Sequence, residues 1–294
     1  MTYAAFRSIG AYVPPKIMTN ADFEKIIDTS DEWITKRTGI KERRISEENE
    51  ASSDLGAKAA AQAIERSGLA KEDIDLVICA TVTPDYLCMP STACLIASKL
   101  GLPAVMAYDV SAACTGFVYA TSIAKAFVES GIKKNLLIFG AENYSSSLDY
   151  TDRGTCFIFG DGAGAAIISA TDNKDEAIID VNCSSDGNYE DLIKTPGGGS
   201  KHPCSQEVLE NKMACIKMKG NETFKLAVRT LTSDVEVMMK KHNITNEDIN
   251  HFIPHQANMR IITAVGKALG MNEDQTVVTV DKYGNTSAAS IPMA

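Results

Sequence analysis

Several features of common functional classes are missing from this sequence of 294 residues. Its eight cysteines form no Cys-x-x-Cys pair, so zinc sites and redox disulfides have little support. No apolar run approaches the ~20 residues that span a bilayer. Positive charge is not in excess, because the formal net charge is −9, which disfavours general nucleic-acid binding. We therefore expect a protein of the reducing cytoplasm, with no metal, no nucleic-acid partner and no membrane partner.

Strand and helix patterns alternate through the first half of the chain. The apolar runs IDLVICATV, AVMAYDV and NLLIFGA are typical of strands covered on both faces. A helix ahead of these runs is predicted to be capped by Ser53 and to stop at Gly68, and a helix between the first two runs is predicted to stop at Gly101. The run CFIFGDGAGAAIISA is predicted to form two strands joined by a glycine-rich turn. Together these patterns predict an α/β fold with a mostly parallel sheet.

The second half of the chain repeats the order of the first. KEDIDLVICA, from Lys71, resembles NEDINHFIPH, from Asn246, and YDVSAACTG resembles VDKYGNTSA with Asp109 over Asp281. A third match lies between these two, where ASKLGL resembles GKALGM. Chance similarity between αβ sequences is the alternative, but three matches in the same order favour duplication. We expect two duplicated halves, residues 1–170 and 171–294, in layers α-β-α-β-α. By the same repeat the second half is expected to be truncated, lacking about 30 residues at typical element lengths.

Three chemically reactive side chains follow predicted strands. Cys114 lies where a strand is predicted to meet a helix, and a helix N-terminus is expected to lower its pKa. His255 ends the HFIPH run and Asn285 lies in the YGNTSAAS loop. Active sites of αβ sheets lie at the carboxyl ends of strands, so these residues are expected to meet at one site. A Cys-His-Asn set also serves papain-like hydrolases, and residue identity alone does not separate the two chemistries.

The segment GDGAGA, residues 160–165, fits the loose dinucleotide pattern G-x-G-x-x-A. Such a site needs a helix whose N-terminus binds the phosphate, whereas the apolar run AAIIS that follows is predicted to be a strand. We therefore interpret the segment as a tight turn and expect no bound cofactor.

A set of longer motifs resembles one family. The stretches TNADFEKIIDTSDEWITKRTGI, DVSAACTGF, TDRGTCFIFGDGAGAA, MKGNETFKLAV, PHQANMRII and YGNTSAAS resemble those of the β-ketoacyl-acyl-carrier-protein synthase III family, and they cover the chain from residue 19 onward. The resemblance implies a thiolase-like fold and a decarboxylative Claisen condensation of an acyl-CoA primer, acetyl-CoA in the first instance, with malonyl-acyl-carrier protein. This reaction initiates fatty-acid biosynthesis.

The resemblance also implies roles for individual residues. Cys114 would be the nucleophile that accepts the acyl group, and His255 and Asn285 would bind the thioester carbonyl of the malonyl group. Trp33 and Arg153 would hold the adenine of CoA between them. The full set of implied substrate and CoA contacts is Thr29, Trp33, Arg37, Arg153, Ile158, Phe224 and Asn258.

The implied partners are acyl-CoA, the acidic carrier protein and a second copy of the chain. Lys225, Arg260 and Lys267 match a basic patch that docks the carrier protein. Met89 matches a residue that reaches the acyl pocket of the partner subunit in a homodimer. Two other functions stay open at this point: a related CoA-dependent condensing enzyme of specialised metabolism, and a non-catalytic acyl-CoA-binding protein.

Overall fold

The computed structural model describes residues 2–294 as an α/β protein. Its strands are β1 (Tyr3–Tyr12), β2 (Lys16–Thr19), β3 (Glu42–Ile45), β4 (Leu76–Ala80), β5 (Met106–Val110), β6 (Asn135–Glu142), β7 (Gly162–Thr171), β8 (Ile193–Lys194) and β9 (Lys217–Met218). Its α-helices are α1 (Asn20–Phe23), α2 (Asp31–Thr38), α3 (Ser52–Ser67), α4 (Thr92–Leu100), α5 (Gly116–Glu129), α6 (Gln206–Glu210), α7 (Gly220–His242), α8 (Met259–Ala268), α9 (Val280–Tyr283) and α10 (Ser290–Met293). None of the helices in this part of the chain combines the length and the apolar character needed to cross a bilayer.

Five strands form the central sheet, in the order β1-β7-β6-β4-β5. Strand β4 pairs in parallel with both β5 and β6, as the crossover helices between these strands require. Strand β7 runs antiparallel to both β6 and β1. Four of the five strands therefore run in one direction, as the prediction of a mostly parallel sheet requires, and only β7 is reversed.

The core lies on both faces of the sheet. Alternate residues of β4 point to opposite sides, so Val77 and Cys79 pack with α3 and α4 whereas Leu76 and Ile78 pack with α5. All five residues of β4 are buried. The prediction of apolar strands covered on both faces is thus confirmed for β4 and β6, whereas β5, at the edge of the sheet, is only partly buried.

The predicted helix ends are mostly confirmed. Gly68 and Gly101 end α3 and α4 in left-handed conformations with φ of 69° and 65°. Ser53 is not the N-cap of α3, because the helix begins one residue earlier, at Ser52. The Ser53 amide and hydroxyl instead bind the Asp85 carboxylate, at 2.9 and 2.6 Å, and so tie α3 to the loop after β4.

The run CFIF does not form a strand. Residues 156–158 lie in turns, and Phe159 makes only an isolated parallel bridge to Asn285. Only the second part of the predicted hairpin is present, as β7. The bridge consists of two hydrogen bonds, Asn285 N to Ile158 O at 2.9 Å and Gly160 N to Asn285 O at 3.1 Å. It joins the second half of the chain to the first beside the candidate site.

The second half shares local conformations with the first but not its sheet. Both Lys71 and Asn246 begin short 3₁₀ helices, Lys71–Asp73 and Asn246–Asp248, and in each the carboxylate of the third residue accepts a hydrogen bond from the backbone N–H of the residue before the helix. HFIPH forms only a single bridge, Phe252 to Thr276, made by the hydrogen bonds from Phe252 N to Gln275 O and from Val277 N to Phe252 O. A left-handed residue opens a 3₁₀ turn in each half, at Ala113 and at Ser287. These two turns correspond with an offset of 174 residues, two more than the predicted pairing of Asp109 with Asp281.

Candidate active site

Cys114 lies at a strand-to-helix turn, as predicted. Strand β5 ends at Val110, the 3₁₀ turn covers Ala113–Thr115, and α5 begins at Gly116. Ala113 adopts φ of 45°, a left-handed conformation that costs a residue with a Cβ roughly 1–2 kcal/mol. Such strain is found where a structure holds a functional side chain in a fixed direction.

A second turn lies directly against the Cys114 turn. It covers Ser287–Ala289 and rests on β6, where a Cβ built on Gly140 would come within 2.4 Å of the Ala288 carbonyl carbon and oxygen. Only glycine allows this close approach of two backbones. On the other side, a Cβ at Gly116 would lie 3.3 Å from the Ala288 Cβ. The turn from the second half is therefore packed between β6 and the start of α5.

Burial dominates the chemistry of the Cys114 thiol. It raises the pKa of Cys114 to about 11, whereas the hydroxyl of Ser287 acts in the opposite direction. Ser287 Oγ lies 3.7 Å from Cys114 Sγ and is itself fully buried. The prediction of a lowered pKa is therefore wrong for the ligand-free protein. Cys114 lies in the 3₁₀ turn, two residues ahead of α5, where desolvation outweighs the helix dipole.

A buried carboxyl group contributes to the same environment. Glu142 ends β6 and is fully buried without a cationic partner. Its Oε2 accepts hydrogen bonds from the hydroxyls of Thr83 and Thr81, at 2.6 and 3.1 Å. Burial raises the pKa of Glu142 to about 7, and its charge adds to the upward shift at Cys114. Sequence reasoning missed Glu142, although its place at the carboxyl end of a buried strand is the signal used for the other site residues.

Asn285 is held so that one end of its amide is occupied and the other is free. Its Oδ1 accepts a hydrogen bond from Ser287 N at 2.8 Å, and its backbone is fixed by the bridge to Phe159. Within residues 2–294, Nδ2 has no hydrogen-bond acceptor, although the residue is only 6% exposed. The amide is thus fixed with its donor end unpaired.

His255 is anchored to the same segment. Its Nδ1 lies 2.6 Å from the hydroxyl of Ser290, at the start of α10. Burial lowers the pKa of His255 to about 4, so the imidazole is neutral near pH 7. No described residue is hydrogen-bonded to Nε2. Cys114, His255 and Asn285, far apart in sequence, are therefore linked through contacts with residues 285–290. Ser287 and Ser290, which make two of these contacts, were not singled out within the YGNTSAAS motif.

Three of the predicted CoA contacts form a cluster on the surface. The Arg153 guanidinium carbon lies 4.3 Å from the centre of the Trp33 ring, and that of Arg37 lies 5.5 Å from it. The edge of Trp33 also packs against Phe157. An aromatic ring inserted between Arg153 and Trp33 needs about 7 Å, twice a carbon–carbon contact distance. The two predicted adenine contacts are thus in direct contact here, so Arg153 must move to admit a ring.

The remaining predicted substrate contacts lie in four separate segments of the chain. Thr29 Oγ1 is buried and has no hydrogen-bond partner in the described part of the chain. Asn258 caps α8, where its Oδ1 accepts from Arg260 N and its Nδ2 donates to Arg37 O at 3.2 Å. Both ends of this amide are therefore already used within the protein. The half-buried Ile158 packs against three apolar clusters, and Phe224 packs between α7 and α8.

The predicted docking residues are exposed on α7 and α8. Lys225, Arg260 and Lys267 all present their side chains to solvent. Arg260 lies over the Phe224 ring at 5.1 Å, which places one cation of the set beside a predicted tunnel residue. Lys267 lines a cavity of about 760 Å³ together with Met259 and Met271. Neither Cys114 nor His255 lines this cavity.

Met89 is not brought to the candidate site. It is 79% exposed, in the loop between β4 and α4, and belongs to none of the apolar clusters of the described chain. Leu87 and Tyr86 in the same loop are also exposed, at 72% and 56%. Tyr86, Leu87 and Met89 are thus three exposed apolar side chains of one loop, here called the apolar patch.

Comparison with known proteins decides the family. A family model described as 3-oxoacyl-[acyl-carrier-protein (ACP)] synthase III matches residues 108–187, and its C-terminal counterpart matches residues 239–294. A β-ketoacyl-[acyl-carrier-protein] synthase III of Aliarcobacter butzleri is 82% identical over 294 residues, covering 100% of this chain and 88% of that protein. The chain belongs to the β-ketoacyl-acyl-carrier-protein synthase III family.

Other members of the family are similar over nearly the same length. The synthase III of a Sulfurovum species is 66% identical, covering 99% of this chain and 86% of that protein. The crystal structure of 3-oxoacyl-[acyl-carrier-protein] synthase III from Aquifex aeolicus superposes with a TM-score of 0.90 at 42% identity, covering 99% of this chain and 88% of the other. The predicted family and thiolase-like fold are confirmed. These enzymes are acyltransferases that initiate fatty-acid synthesis. The priming β-ketosynthase of the R1128 polyketide biosynthetic pathway is similar at a lower identity of 31%, with a TM-score of 0.88, covering 99% of this chain and 86% of the other.

Proposed function

We propose that this chain joins an acyl-CoA primer, acetyl-CoA in the first instance, to malonyl-acyl-carrier protein by decarboxylative Claisen condensation. One observation supports this most strongly. Asn285 Nδ2 and His255 Nε2 have no hydrogen-bond partner among residues 2–294. Asn285 belongs to the 285–290 segment, His255 contacts it through Ser290, and the same segment contacts the Cys114 sulfur through Ser287. A hydrolase would need His255 as a base that deprotonates the thiol and later activates water against the acyl-enzyme. A condensing enzyme instead needs two neutral donors for a developing oxyanion.

In the first half-reaction Cys114 accepts the acyl group. Its sulfur attacks the thioester carbonyl of acyl-CoA, the carbon–sulfur bond to CoA breaks, and the thiol proton leaves on the released CoA. The backbone N–H of Cys114 is proposed to hold the oxyanion of this step. Because burial raises the pKa of Cys114 to about 11, the thiolate is strongly nucleophilic once it forms.

In the second half-reaction the two donors act on the malonyl group. Asn285 Nδ2 and His255 Nε2 are proposed to bind its thioester oxygen, where negative charge grows as the carboxylate leaves as CO₂. The enolate carbon then attacks the acyl-Cys114 carbonyl and expels the Cys114 thiolate, which takes up one proton from solution. The product is a β-ketoacyl carrier protein. A neutral His255 suits this role because its lowered pKa keeps the imidazole uncharged.

The surface clusters are proposed to bind the two substrates. The stacked Trp33 and Arg153 would open to hold the adenine of CoA, with Arg37 and the unpaired Thr29 Oγ1 as further contacts. Ile158, Phe224 and Asn258 are proposed to line the path of the pantetheine arm. Lys225, Arg260 and Lys267 are proposed to attract the acidic carrier protein, which is an effect on association rate that salt weakens.

A homodimer is proposed because two adjacent features of one subunit lack partners. Strand β5 is an edge of the central sheet, and Met106 at its start is 49% exposed. The apolar patch of Tyr86, Leu87 and Met89 is the second feature, and Met89 would reach the acyl pocket of the other subunit. A monomer in analytical ultracentrifugation at micromolar concentration would contradict this. The eight unpaired thiols suit the reducing cytoplasm, which is the proposed location.

The function is tested by incubating the protein with acetyl-CoA and malonyl-acyl-carrier protein and identifying the acyl group on the carrier by mass spectrometry. Acetoacetyl-carrier protein is the expected product. His255→Ala and Asn285→Ala should each slow its formation by about 10²–10³-fold while Cys114 is still acetylated, since each removes one oxyanion donor. Release of free acetate without carrier-bound product would instead indicate a hydrolase.

A further inference from the structure

The hydroxyl of Ser290 forms a short contact with the imidazole of His255. Ser290 Oγ lies 2.6 Å from His255 Nδ1 and also accepts a hydrogen bond from Gln256 N at 3.3 Å. Ser290 is 2% exposed, so solvent does not compete effectively for its hydroxyl. The contact joins the His255 loop to the first residue of α10.

The ring nitrogens of a neutral imidazole have different roles. One carries the hydrogen and donates, and the other accepts, and the partner of one nitrogen decides the role of the other. A serine hydroxyl has a single hydrogen to donate. Since Gln256 N already donates to Ser290 Oγ, the hydroxyl hydrogen remains available for His255 Nδ1.

We propose that Ser290 is a positioning residue, whose hydroxyl donates to His255 Nδ1 and thereby holds the imidazole in the tautomer with its hydrogen on Nε2. The unpaired Nε2 is then a hydrogen-bond donor aimed at substrate. With the opposite tautomer Nε2 would present a lone pair, which repels an oxyanion. One hydroxyl thus decides whether His255 stabilises the enolate or opposes it.

The surroundings of His255 keep this arrangement rigid. The buried side chain of Gln256 donates to Pro254 O and Val277 O, at 2.9 and 3.1 Å, and accepts from Thr279 N at 2.8 Å. The loop that carries His255 is therefore tied to the segment before α9. With its neighbours fixed in this way, rotation of the ring away from Ser290 would leave the hydrogen of a buried hydroxyl without an acceptor.

The consequence for the reaction rests on the proposed function. The malonyl half-reaction needs the His255 donor, whereas acylation of Cys114 does not. Ser290→Ala should therefore slow carrier-bound product formation by about 10–100-fold, the range typical of groups that orient a reacting side chain, and leave Cys114 acylation within about twofold of the unchanged protein. Ser290→Thr keeps the hydroxyl and should restore most of the loss.

The direct test is nitrogen-15 NMR of the histidine side chains at neutral pH, with His255→Asn used to assign the His255 signals. The proposal predicts that unsubstituted His255 is neutral, with its hydrogen on Nε2, and that Ser290→Ala gives a mixture of tautomers or the opposite one. A His255 with its hydrogen on Nδ1 in the unsubstituted protein would overturn the proposal, whatever any variant does. This readout needs no substrate, so it is independent of the proposed function.

Ser169→Ala is the matched control. Ser169 is also a buried serine, and its hydroxyl donates to Asn135 Oδ1 at 2.8 Å, away from His255. This variant loses one buried hydrogen bond and should leave the His255 spectrum unchanged. An Nε2-protonated His255 in folded Ser290→Ala, with undiminished product formation, would also contradict the proposal. If no variant, including the unsubstituted protein, forms carrier-bound product while the spectra behave as predicted, the proposed function fails and the tautomer assignment stands.

Discussion

At the scale of single residues, the thiol of Cys114 is governed by burial rather than by its place before a helix. Desolvation disfavours the thiolate, and the nearby carboxyl group of Glu142 acts in the same direction. The Ser287 hydroxyl, at 3.7 Å from the sulfur, opposes both effects. The resting enzyme should therefore hold a neutral thiol that becomes nucleophilic only as substrate binds.

The pH dependence of alkylation tests this directly. The rate at which iodoacetamide modifies Cys114, followed by peptide mass spectrometry, should still be rising above pH 10, because the thiol has a pKa of about 11. Ser287→Ala should shift the midpoint to higher pH, since the hydroxyl favours the thiolate. The exposed Cys88 in the same sample serves as an internal reference for the reactivity of the reagent and for unfolding of the protein at high pH. A Cys114 midpoint below pH 8 would contradict the account.

Residue types at the site were predictable from sequence, but their environments were not. Cys114 at a strand-to-helix turn, and His255 and Asn285 beside it, follow from apolar runs and the internal repeat. The contact of Ser287 with the sulfur, and that of Ser290 with the imidazole, depend on how two distant turns pack together. No periodicity in the sequence reports such packing, and for that reason the shift in the Cys114 pKa was predicted with the wrong sign.

At the scale of elements, the decisive contact is the turn Ser287–Ala289 resting on β6 at Gly140. A side chain at Gly140 would meet the backbone of Ala288 at 2.4 Å, which is much shorter than a van der Waals contact. The turn carries Ser287 and continues into Ser290, so its position sets that of the sulfur and imidazole partners. Strand β6 thus acts as the support of the second-half turn.

Gly140→Ala tests this support. The added methyl group should lower the free energy of unfolding by about 1–3 kcal/mol, a cost typical of overpacking, and should slow Cys114 acylation because the turn is displaced. Urea unfolding and the rate of acylation by acetyl-CoA measure the two effects. Gly187→Ala, where a Cβ would meet no atom within 4 Å, is the control and should change neither. Unchanged stability in Gly140→Ala would show that the two backbones are not in close contact.

The contact of Trp33 with Arg153 gives a second prediction at this scale. Trp33 is the only tryptophan, so its fluorescence reports on this cluster alone. Titration with acetyl-CoA should change the emission as Arg153 leaves the indole and a ring enters. Arg153→Ala should weaken acetyl-CoA binding about two- to fivefold. This corresponds to loss of the partly exposed cation–π contact of about 0.5–1 kcal/mol that Arg153 is proposed to make with the adenine ring.

The control for this titration is Lys36→Ala, which removes an exposed cation of α2 and should bind acetyl-CoA as the unchanged protein does. An emission spectrum that does not respond to saturating acetyl-CoA would place the CoA site elsewhere.

Sequence patterns predicted most elements of the first half, because β4, β5 and β6 are apolar runs bounded by helices with clear stop signals. They failed for CFIF, where Cys156 and Phe157 are buried in turns rather than in a strand. Burial and strand formation give the same apolar pattern over four residues. The antiparallel placement of β7 was also missed, since strand direction depends on which neighbours pair and not on composition.

At the scale of the whole molecule, the proposed mechanism draws on both predicted halves of the chain. The 3₁₀ turns opened by Ala113 and Ser287, at an offset of 174 residues, are in contact with each other, and one carries the proposed nucleophile while the other carries Ser287, which contacts its sulfur. The division after residue 170 stays a prediction. A catalytic centre shared between two related turns accounts for three reactive residues that lie far apart in sequence.

The most direct test of this account is the mass of the Cys114 peptide before and after each substrate. With acetyl-CoA alone, we predict that one acetyl group is attached to Cys114 and to no other cysteine. Addition of malonyl-acyl-carrier protein should then discharge it, with acetoacetyl-carrier protein formed in equal amount. An unmodified Cys114 in folded protein, or acetylation that survives the second substrate, would contradict the central claim.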